Sequence, residues 1–345
     1  MSGDRPLRIL LIVAVLGLAV FPFFGEEFYV DLVVRMMILG IFAMSLDLLI
    51  GYTGLVSFGH AAFFGLSAYV LAIITPEAGP IGIWWALPVC LIVTAVAALI
   101  IGWFSVRTSG IYFIMITLAF AQMLYYFFNE NSDLGGSDGK FIFYKPEVAI
   151  GSFQLLDLNN PHTFYWFVLA SLVASYVLLS VVLRAPFGQV IRGIRINESR
   201  TRALGYATQR YKLVSFVIAG TLCGFAGFLE GAHTGFVSPA HLGWHESGLI
   251  IMFVILGGMG TLYGPVIGAF AFGLMQDQFQ DLTEHWSLVI GVFVILVVLF
   301  LPHGIAGLFA HLTGIRTSRT VDLGSADEPS ASRITPASAE KEAAK

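Results

Sequence analysis

Apolar runs of membrane length recur along this chain, at 7–24, 32–50, 58–74, 83–105, 110–128, 164–183, 213–231, 247–262, 265–280 and 286–302, with short polar stretches between most of them. A helix crossing the hydrocarbon core needs about 20 apolar residues, with a range near 17–25. The pattern predicts an all-α integral membrane protein, a polytopic helical bundle of about 10 membrane segments. The two short runs, 247–262 and 265–280, also read as halves of a broken or re-entrant helix. The first run follows Arg5 and Arg8 and has the outline of a signal peptide. Gly25-Glu26-Glu27 after Phe24 offers no small-x-small cleavage site, so the run is read as a retained helix.

Charge tests this count through the excess of Lys and Arg in cytoplasmic loops. Strict alternation puts Arg5, Arg8, Arg107, the 184–212 loop, Arg316 and Arg319 on one side. The other side receives Glu26, Glu27, Asp31, Glu77, Asp133, Asp138, Asp157, Asp277, Asp281 and Glu284, and its lysines are Lys140 and Lys145. One topology satisfies all loops, with both termini cytoplasmic, and a miscount by one helix scrambles it. The expected organisation is a transmembrane domain over 1–312, with 129–163 outside and 184–212 inside. The outer loop holds turn residues at Gly135-Gly136-Ser137, Pro146 and Asn159-Asn160-Pro161. The tail 313–345 is rich in Ser, Ala, Pro and charge without apolar periodicity, and is read as disordered.

Composition agrees. The 345 residues are 57% hydrophobic and 12% charged, against roughly 25% charged in soluble domains. The net charge of −4 is unevenly spread, with basic residues gathered in a few loops, so the expected surroundings are lipid and not nucleic acid. Cys90 and Cys223 both fall in apolar runs, which suggests neither a disulfide framework nor a zinc site.

Glycine has its own pattern inside the apolar runs. Gly220, Gly224, Gly227, Gly231 and Gly235 are spaced 4, 3, 4 and 4, which draws a close-packing stripe on one helix face. Gly260, Gly264 and Gly268 repeat the four-residue step. Gly51, Gly54, Gly59 and Gly65 break the second and third runs. Glycine-interrupted spans in both halves of a transporter point to its pathway. This makes Gly51, Tyr52, Gly54, Ser57, Gly59, His60, Gly257, Gly258, Gly260 and Gly264 candidates to line one, beside the plainer reading of close helix packing. The polar residues at membrane depth are Arg35, Asp47, His60, Gln122 and Glu230, and such groups are costly and functional by default. Arg35 and Asp47 stand near the ends of their runs, where snorkelling to the interface is an equal reading. No set of acids at mid-depth forms a proton relay.

Several chemistries are missing. Gly139-Lys140 departs from a phosphate loop twice, with Leu134 for the first glycine and Phe141 after the lysine, so the chain is expected to carry no ATPase site. HExxH and GxSxG are absent, and Gly257-Gly258-Met259-Gly260 lies in an apolar run and not after a strand. His233, His241 and His245 cluster in the stretch 232–246, but no metal-ligand spacing is met, which favours interfacial hydrogen bonding.

The loop Arg184–Lys212 holds six arginines and one lysine against a single acid, Glu198. Pro186 stops the preceding helix and Gly188 frees the turn. Val190, Ile191 and Ile194 then fall at helical spacing, with Arg192 and Arg195 on the other side. Asn197 is an N-cap for a second short helix, Glu198 to Leu204, with Glu198 suiting the helix dipole and Gly205 as the C′ residue. Two short amphipathic helices with a kink between them result. They fit lipid contact and equally docking onto a partner, for which Ile196, Leu204 and Tyr206 supply an apolar nose.

The segment FGQVIRGIRINESRTRALGYATQRYKLVSFVIAGTLCGFAGFLEG resembles the cytoplasmic loop and following helix of bacterial branched-chain amino-acid ABC permeases of the LivM type. LDLLIGYTGLVSFGHAAFFGLSAYV at 46–70, RTSGIYFIMITLAFAQM at 107–123 with GGSDGK at 135–140, and SGLIIMFVILGGMGTLYGPVIGA at 247–269 agree in order. The resemblance covers roughly residues 30–310. It implies a bacterial inner-membrane subunit that pairs with a homologous permease. Two cytoplasmic ATPases, which use the ATP, drive the pair, and a periplasmic binding protein delivers substrate. It implies no cofactor, metal or catalysis in this chain. The loop becomes the ATPase-coupling element, with Glu198, Ala203 and Gly205 at its motif positions, Arg192 and Arg195 before them, and Gly188 at its start. The family often reads I-R-E-D-E where this chain reads Ile194-Arg195-Ile196-Asn197-Glu198. Rival expectations are a urea or short-amide permease, a stand-alone channel or secondary carrier, and, more remotely, an intramembrane enzyme.

Overall fold

The computed structural model describes residues 4–77, 79–150, 153–282, 285–301 and 304–307. Arg316, Arg319, Glu284 and the 313–345 tail, on which parts of the topology and domain reading rest, lie outside them.

A helix stands at each of the ten apolar runs, and two more occupy the basic loop. In chain order they are α1 (Asp4–Val20), α2 (Glu27–Asp47), α3 (Ala61–Ile74), α4 (Ile83–Ser105), α5 (Ile111–Glu130), α6 (Pro161–Arg184), α7 (Pro186–Ile196), α8 (Glu198–Ala203), α9 (Thr208–Thr234), α10 (Trp244–Gly257), α11 (Gly264–Leu282) and α12 (Trp286–Phe300). Among the described residues, five helical stretches are long and apolar enough to cross a membrane: Glu27–Thr53, Ile83–Ser105, Ile111–Glu130, Pro161–Arg184 and Thr208–Thr234. α3 and α10 have 14 residues each, about 21 Å at 1.5 Å per residue, short of a hydrocarbon core of about 30 Å. The chain is thus a multi-pass helical membrane protein whose short helices sit beside breaks.

α2 is the axis of the bundle. It is apolar on nearly every face, so it is stable only when surrounded. α6, α9, α10 and α11 surround it, and from Met36 to Asp47 all but Leu39 are buried. α9 packs on α3 and α4 through its glycines. Gly220 meets Ala98 and Phe63, Gly224 meets Thr94, Gly227 meets the backbone of Phe64, and Gly231 meets Ala68 and Ile142. In a bilayer, where lipid tails compete as apolar partners, this close approach gains dispersion energy that larger residues would forfeit. Gly235 is not part of the stripe. It lies past the end of α9 as a left-handed cap, φ +65°. Buried hydroxyls turn back onto their own helices, as Thr94 does to the Cys90 carbonyl at 2.8 Å and Ser171 to Phe167 at 2.8 Å, because no water is present to satisfy them.

The glycine-rich stretches give two breaks. After α2 the chain winds into a π-helical turn, Leu48–Thr53, stopped by Gly54 in the left-handed region at φ +79°, and runs irregularly to α3. Gly65 corrects the sequence reading. It lies inside α3 and breaks nothing, and its bare Cα admits Leu242 and the backbone of His241. The second break, Gly258 to Tyr263, separates α10 from α11, with Gly258 and Gly260 at φ +114° and +79°.

At the end opposite the basic loop, short strands tie the connections together. β1 (Lys140–Phe141) pairs antiparallel with β4 (Phe236–Val237), and β2 (Val148–Ile150) with β3 (Phe153–Leu156). Glu147 donates to the Ile81 carbonyl and accepts from Ile83, both at 2.8 Å, so the 129–163 loop is stitched to the α3–α4 turn.

Candidate functional site

The basic loop folds against both breaks. α6 ends at Arg184, Pro186 opens α7, and a Cβ at Gly188 would overlap the Leu183 backbone, so only glycine permits this turn. α7 buries Val190, Ile191 and Ile194 against the bundle. Arg195, one turn beyond Ile191, donates from its guanidinium to the Gly51 carbonyl in the π-helical turn. That carbonyl is open to a side-chain donor because it stands at a helix end, where backbone acceptors lack intrahelical partners. Arg192 lies 5.3 Å above the Tyr52 ring, a cation–π arrangement.

Asp47 completes the junction. It is fully buried, and its Oδ1 accepts from the Gly260 backbone N–H at 2.8 Å, across 213 residues of chain. Losing this hydrogen bond would leave a part-buried donor unpaired. The charge of Arg195 also acts on this carboxylate. Glycine is required where these groups meet. A Cβ at Gly51 would overlap Asp47 and the Gly260 nitrogen, and one at Gly260 would come within 3.3 Å of the Arg195 guanidinium. Gly54 packs on the Arg195 side chain. Gly257 and Gly264 pack on each other's backbone, which closes the α10–α11 turn.

α8 is clasped separately. Asn197 caps it, its Oδ1 accepting from Arg200 N at 2.8 Å, and Gly205 at φ +91° ends it, with Ala203 as its last, exposed residue. Glu198 accepts from Thr208 at 3.0 Å and Arg202 at 3.1 Å, and pairs with Lys212 at the foot of α9. Burial works against the Glu198 charge, but the Lys212 ammonium, the Thr208 hydroxyl and Arg202 outweigh it and hold the carboxyl below its ordinary range. The Arg202 partner is exposed and contributes little. Lys212 is buried, and removing its acid would strand a charge. Outward, Ile196, Leu204 and Tyr206 stand 63%, 73% and 43% exposed around the kink.

The remaining pathway candidates form a different centre. His60 is fully buried at the start of α3, sharing a 3.0 Å hydrogen bond with Ser45. Cys223 donates to the His60 carbonyl at 3.2 Å. Ser247 on α10 accepts from the Ala61 N–H at 2.9 Å, and Ser57 from Gly59 at 3.3 Å, while Gly59 presses on the Thr117 backbone. Ser57, Gly59 and His60 thus sit in packed interior. Among the described residues no three His, Cys, Asp or Glu converge as metal ligands. Sequence reasoning missed Ser45, Ser247, Cys223 and Lys212, and for Asp47 it left burial at depth and placement at the interface as equal readings, of which the structure shows burial. The signal for Asp47 was its position one turn before Gly51. That spacing lays its carboxylate along the glycine's open side.

Residues 28–299 match the family described as "Branched-chain amino acid transport system / permease component". The chain belongs to this family. It is 28% identical over 324 residues to the permease protein LivM of a high-affinity branched-chain amino acid transport system from Escherichia coli K12, covering 88% of this chain and 76% of that protein. BraD of Pseudomonas aeruginosa is 24% identical over 283 residues, 77% of this chain and 90% of BraD. LivH of E. coli is 27% identical over 144 residues, 41% of this chain and 46% of LivH. No solved structure matches. The family match spans both helix breaks and the loop between α6 and α9, so the Arg195–Gly51 and Asp47–Gly260 links fall within its permease core.

Proposed function

We propose that this chain is one permease subunit of an ATP-binding-cassette importer for branched-chain amino acids in a bacterial inner membrane. It works with a homologous second permease, two cytoplasmic ATPases and a periplasmic binding protein. The ATP is bound by the ATPases and not by this chain.

One observation carries the mechanism: α7 holds the Gly51 carbonyl through Arg195, while Asp47 ties that same turn to Gly260. A force applied to the basic loop therefore reaches the ends of α2, α10 and α11 through hydrogen bonds rather than through a slack connection. Docking would use the exposed Ile196, Leu204 and Tyr206, set out by the capped α8. When the ATPase pair closes, α7 and α8 move as a unit, clasped by Glu198 to α9, and the two breaks shift with them. The breaks act as hinges because their left-handed glycines have no side chains to repack.

The test is the reconstituted complex carrying Arg195→Gln. Uptake of labelled leucine and binding-protein-stimulated ATP hydrolysis should come apart, with import per ATP falling about tenfold or more. Uptake and stimulation both at wild-type levels would reject the coupling route. Import of labelled urea in place of leucine by the wild-type complex would reject the substrate class.

A further inference from the structure

The end of the bundle opposite the basic loop holds charges that the coupling mechanism does not use. A cavity of about 290 Å³ opens there, its walls including Asp31, Val34, Lys145, Phe164 and His233. Its size is near the lower end of ligand pockets, roughly 300–1,000 Å³. The Lys145 ammonium lies 4.6 Å above the Phe164 ring, and His233 Nε2 is 3.3 Å from Asp31. One turn further into the bundle stand two groups of opposite sign. Arg35, one turn below Asp31 on α2, is exposed and forms no hydrogen bond or ion pair among the described residues. Glu230, one turn below His233 on α9, is only 5% exposed, and its Oε2 has no hydrogen-bond partner among the described residues. Asp31 and His233 meet across the packed α2 and α9, so Arg35 and Glu230, each one turn further in, lie on that same seam, and the Arg35 charge also reaches Glu246 at the start of α10.

Arg35 lies eight residues inside the start of α2, about 12 Å along the axis. An unpaired guanidinium at that depth is costly against lipid, and a buried carboxylate oxygen without a donor is costly anywhere. Both penalties are relieved by a ligand that brings a carboxylate and an ammonium on neighbouring atoms. We propose that this cluster is the outer station for a zwitterionic α-amino acid, with its carboxylate on Arg35, its ammonium on Glu230 and its aliphatic side chain against Val34 and Phe164. The proposal rests on the reading of the chain as an amino-acid permease and adds the groups that hold the solute.

The experiment uses the full complex with its partner permease and ATPases in nanodiscs, without the binding protein. Binding of labelled L-leucine is competed with leucinamide, which lacks the carboxylate, and with 4-methylpentanoate, which lacks the ammonium. Wild type should prefer leucine over each by about tenfold or more, as a site that hydrogen-bonds a polar group rejects the analogue without it. Arg35→Gln should lose the preference over leucinamide and keep that over 4-methylpentanoate. Glu230→Gln should do the reverse, and Arg35→Lys should retain the carboxylate preference. A merely structural role would change both preferences together or neither. If Arg35→Gln fails to assemble, Arg35→Lys and Glu230→Gln decide. Preferences unchanged in the variants, or absent in wild type, overturn the proposal. So does a leucine affinity that follows the anionic-lipid content of the disc, which would give Arg35 to a headgroup. A wild-type complex that imports no leucine defeats the substrate reading itself. One that imports leucine with variants indistinguishable from it defeats the placement alone.

Discussion

At the basic end, Arg195, Asp47 and Glu198 each close on a partner within this chain, and two of the three reach backbone groups at a helix break. At the opposite end, Arg35 and one oxygen of Glu230 have no hydrogen-bond partner among the described residues, one turn below Asp31 and His233, which line a cavity. The physics is the same, since polar groups at membrane depth must be matched, but at the basic end each group finds a partner in the chain, Asp47 through Oδ1 while its Oδ2 stays unpaired among the described residues, whereas Arg35 finds none. Internal matching makes a stiff junction that transmits motion. Open matching leaves room for something that enters and leaves. The comparison also explains where glycine is needed. The basic junction depends on bare Cα atoms at Gly51, Gly257 and Gly260, so that backbone and side chain can meet, whereas the opposite end is built from charged and aromatic side chains.

The most damaging break should be Gly51→Val. Its side chain would overlap Asp47 and Gly260, with overpacking of about 3 kcal/mol. Thermal unfolding of the detergent-purified complex should shift down by several degrees, and a wild-type midpoint would refute the close packing. Asp47→Ala comes next. It removes the acceptor of the Gly260 N–H, a loss of about 1–3 kcal/mol, and hydrogen exchange at 258–263 should rise while that around Arg35 stays unchanged. Equal changes at both ends would erase the contrast between them. Leu204→Asp should leave the unfolding midpoint within about 0.5 kcal/mol of wild type, since the residue is exposed. Copurification of the ATPases should fall, and undiminished copurification would remove the docking role of the kink. The smallest effect concerns pH. The lowered Glu198 pKa keeps the Lys212 clasp charged at and above the ordinary carboxylate pKa, and its contribution is lost only as pH falls through the depressed value. Hydrogen exchange of α8 should therefore be no faster in its opening step at pH 6 than at pH 7.5 in wild type, and Glu198→Gln should be loosened at both.

Much of the architecture was legible because apolar length and charge asymmetry are one-dimensional signals. The run 83–105 coincides with α4, and each of the other nine apolar runs overlaps a helix. The two loop helices were legible because caps are local: Asn197 and Gly205 mark α8 to within a residue of the sequence reading. Gly65 and Gly235 were misread because a glycine's effect depends on what faces it. The first accommodates Leu242 inside a helix, and the second caps one.

The amino-acid sequence by itself determined the class, the helical segments and the two-part basic loop, since each follows from the order of residue types along the chain. Only the tertiary structure decided that Arg195 finds Gly51, 144 residues away, and that Asp47 finds Gly260, 213 residues away. It also decided that Arg35 is exposed and that the buried Glu230 Oε2 has no hydrogen-bond partner among the described residues. Pairing between distant charges and backbone groups depends on which helices α2 packs against. No local pattern encodes that choice, because apolar helices in lipid are sorted by the shape of their contact surfaces.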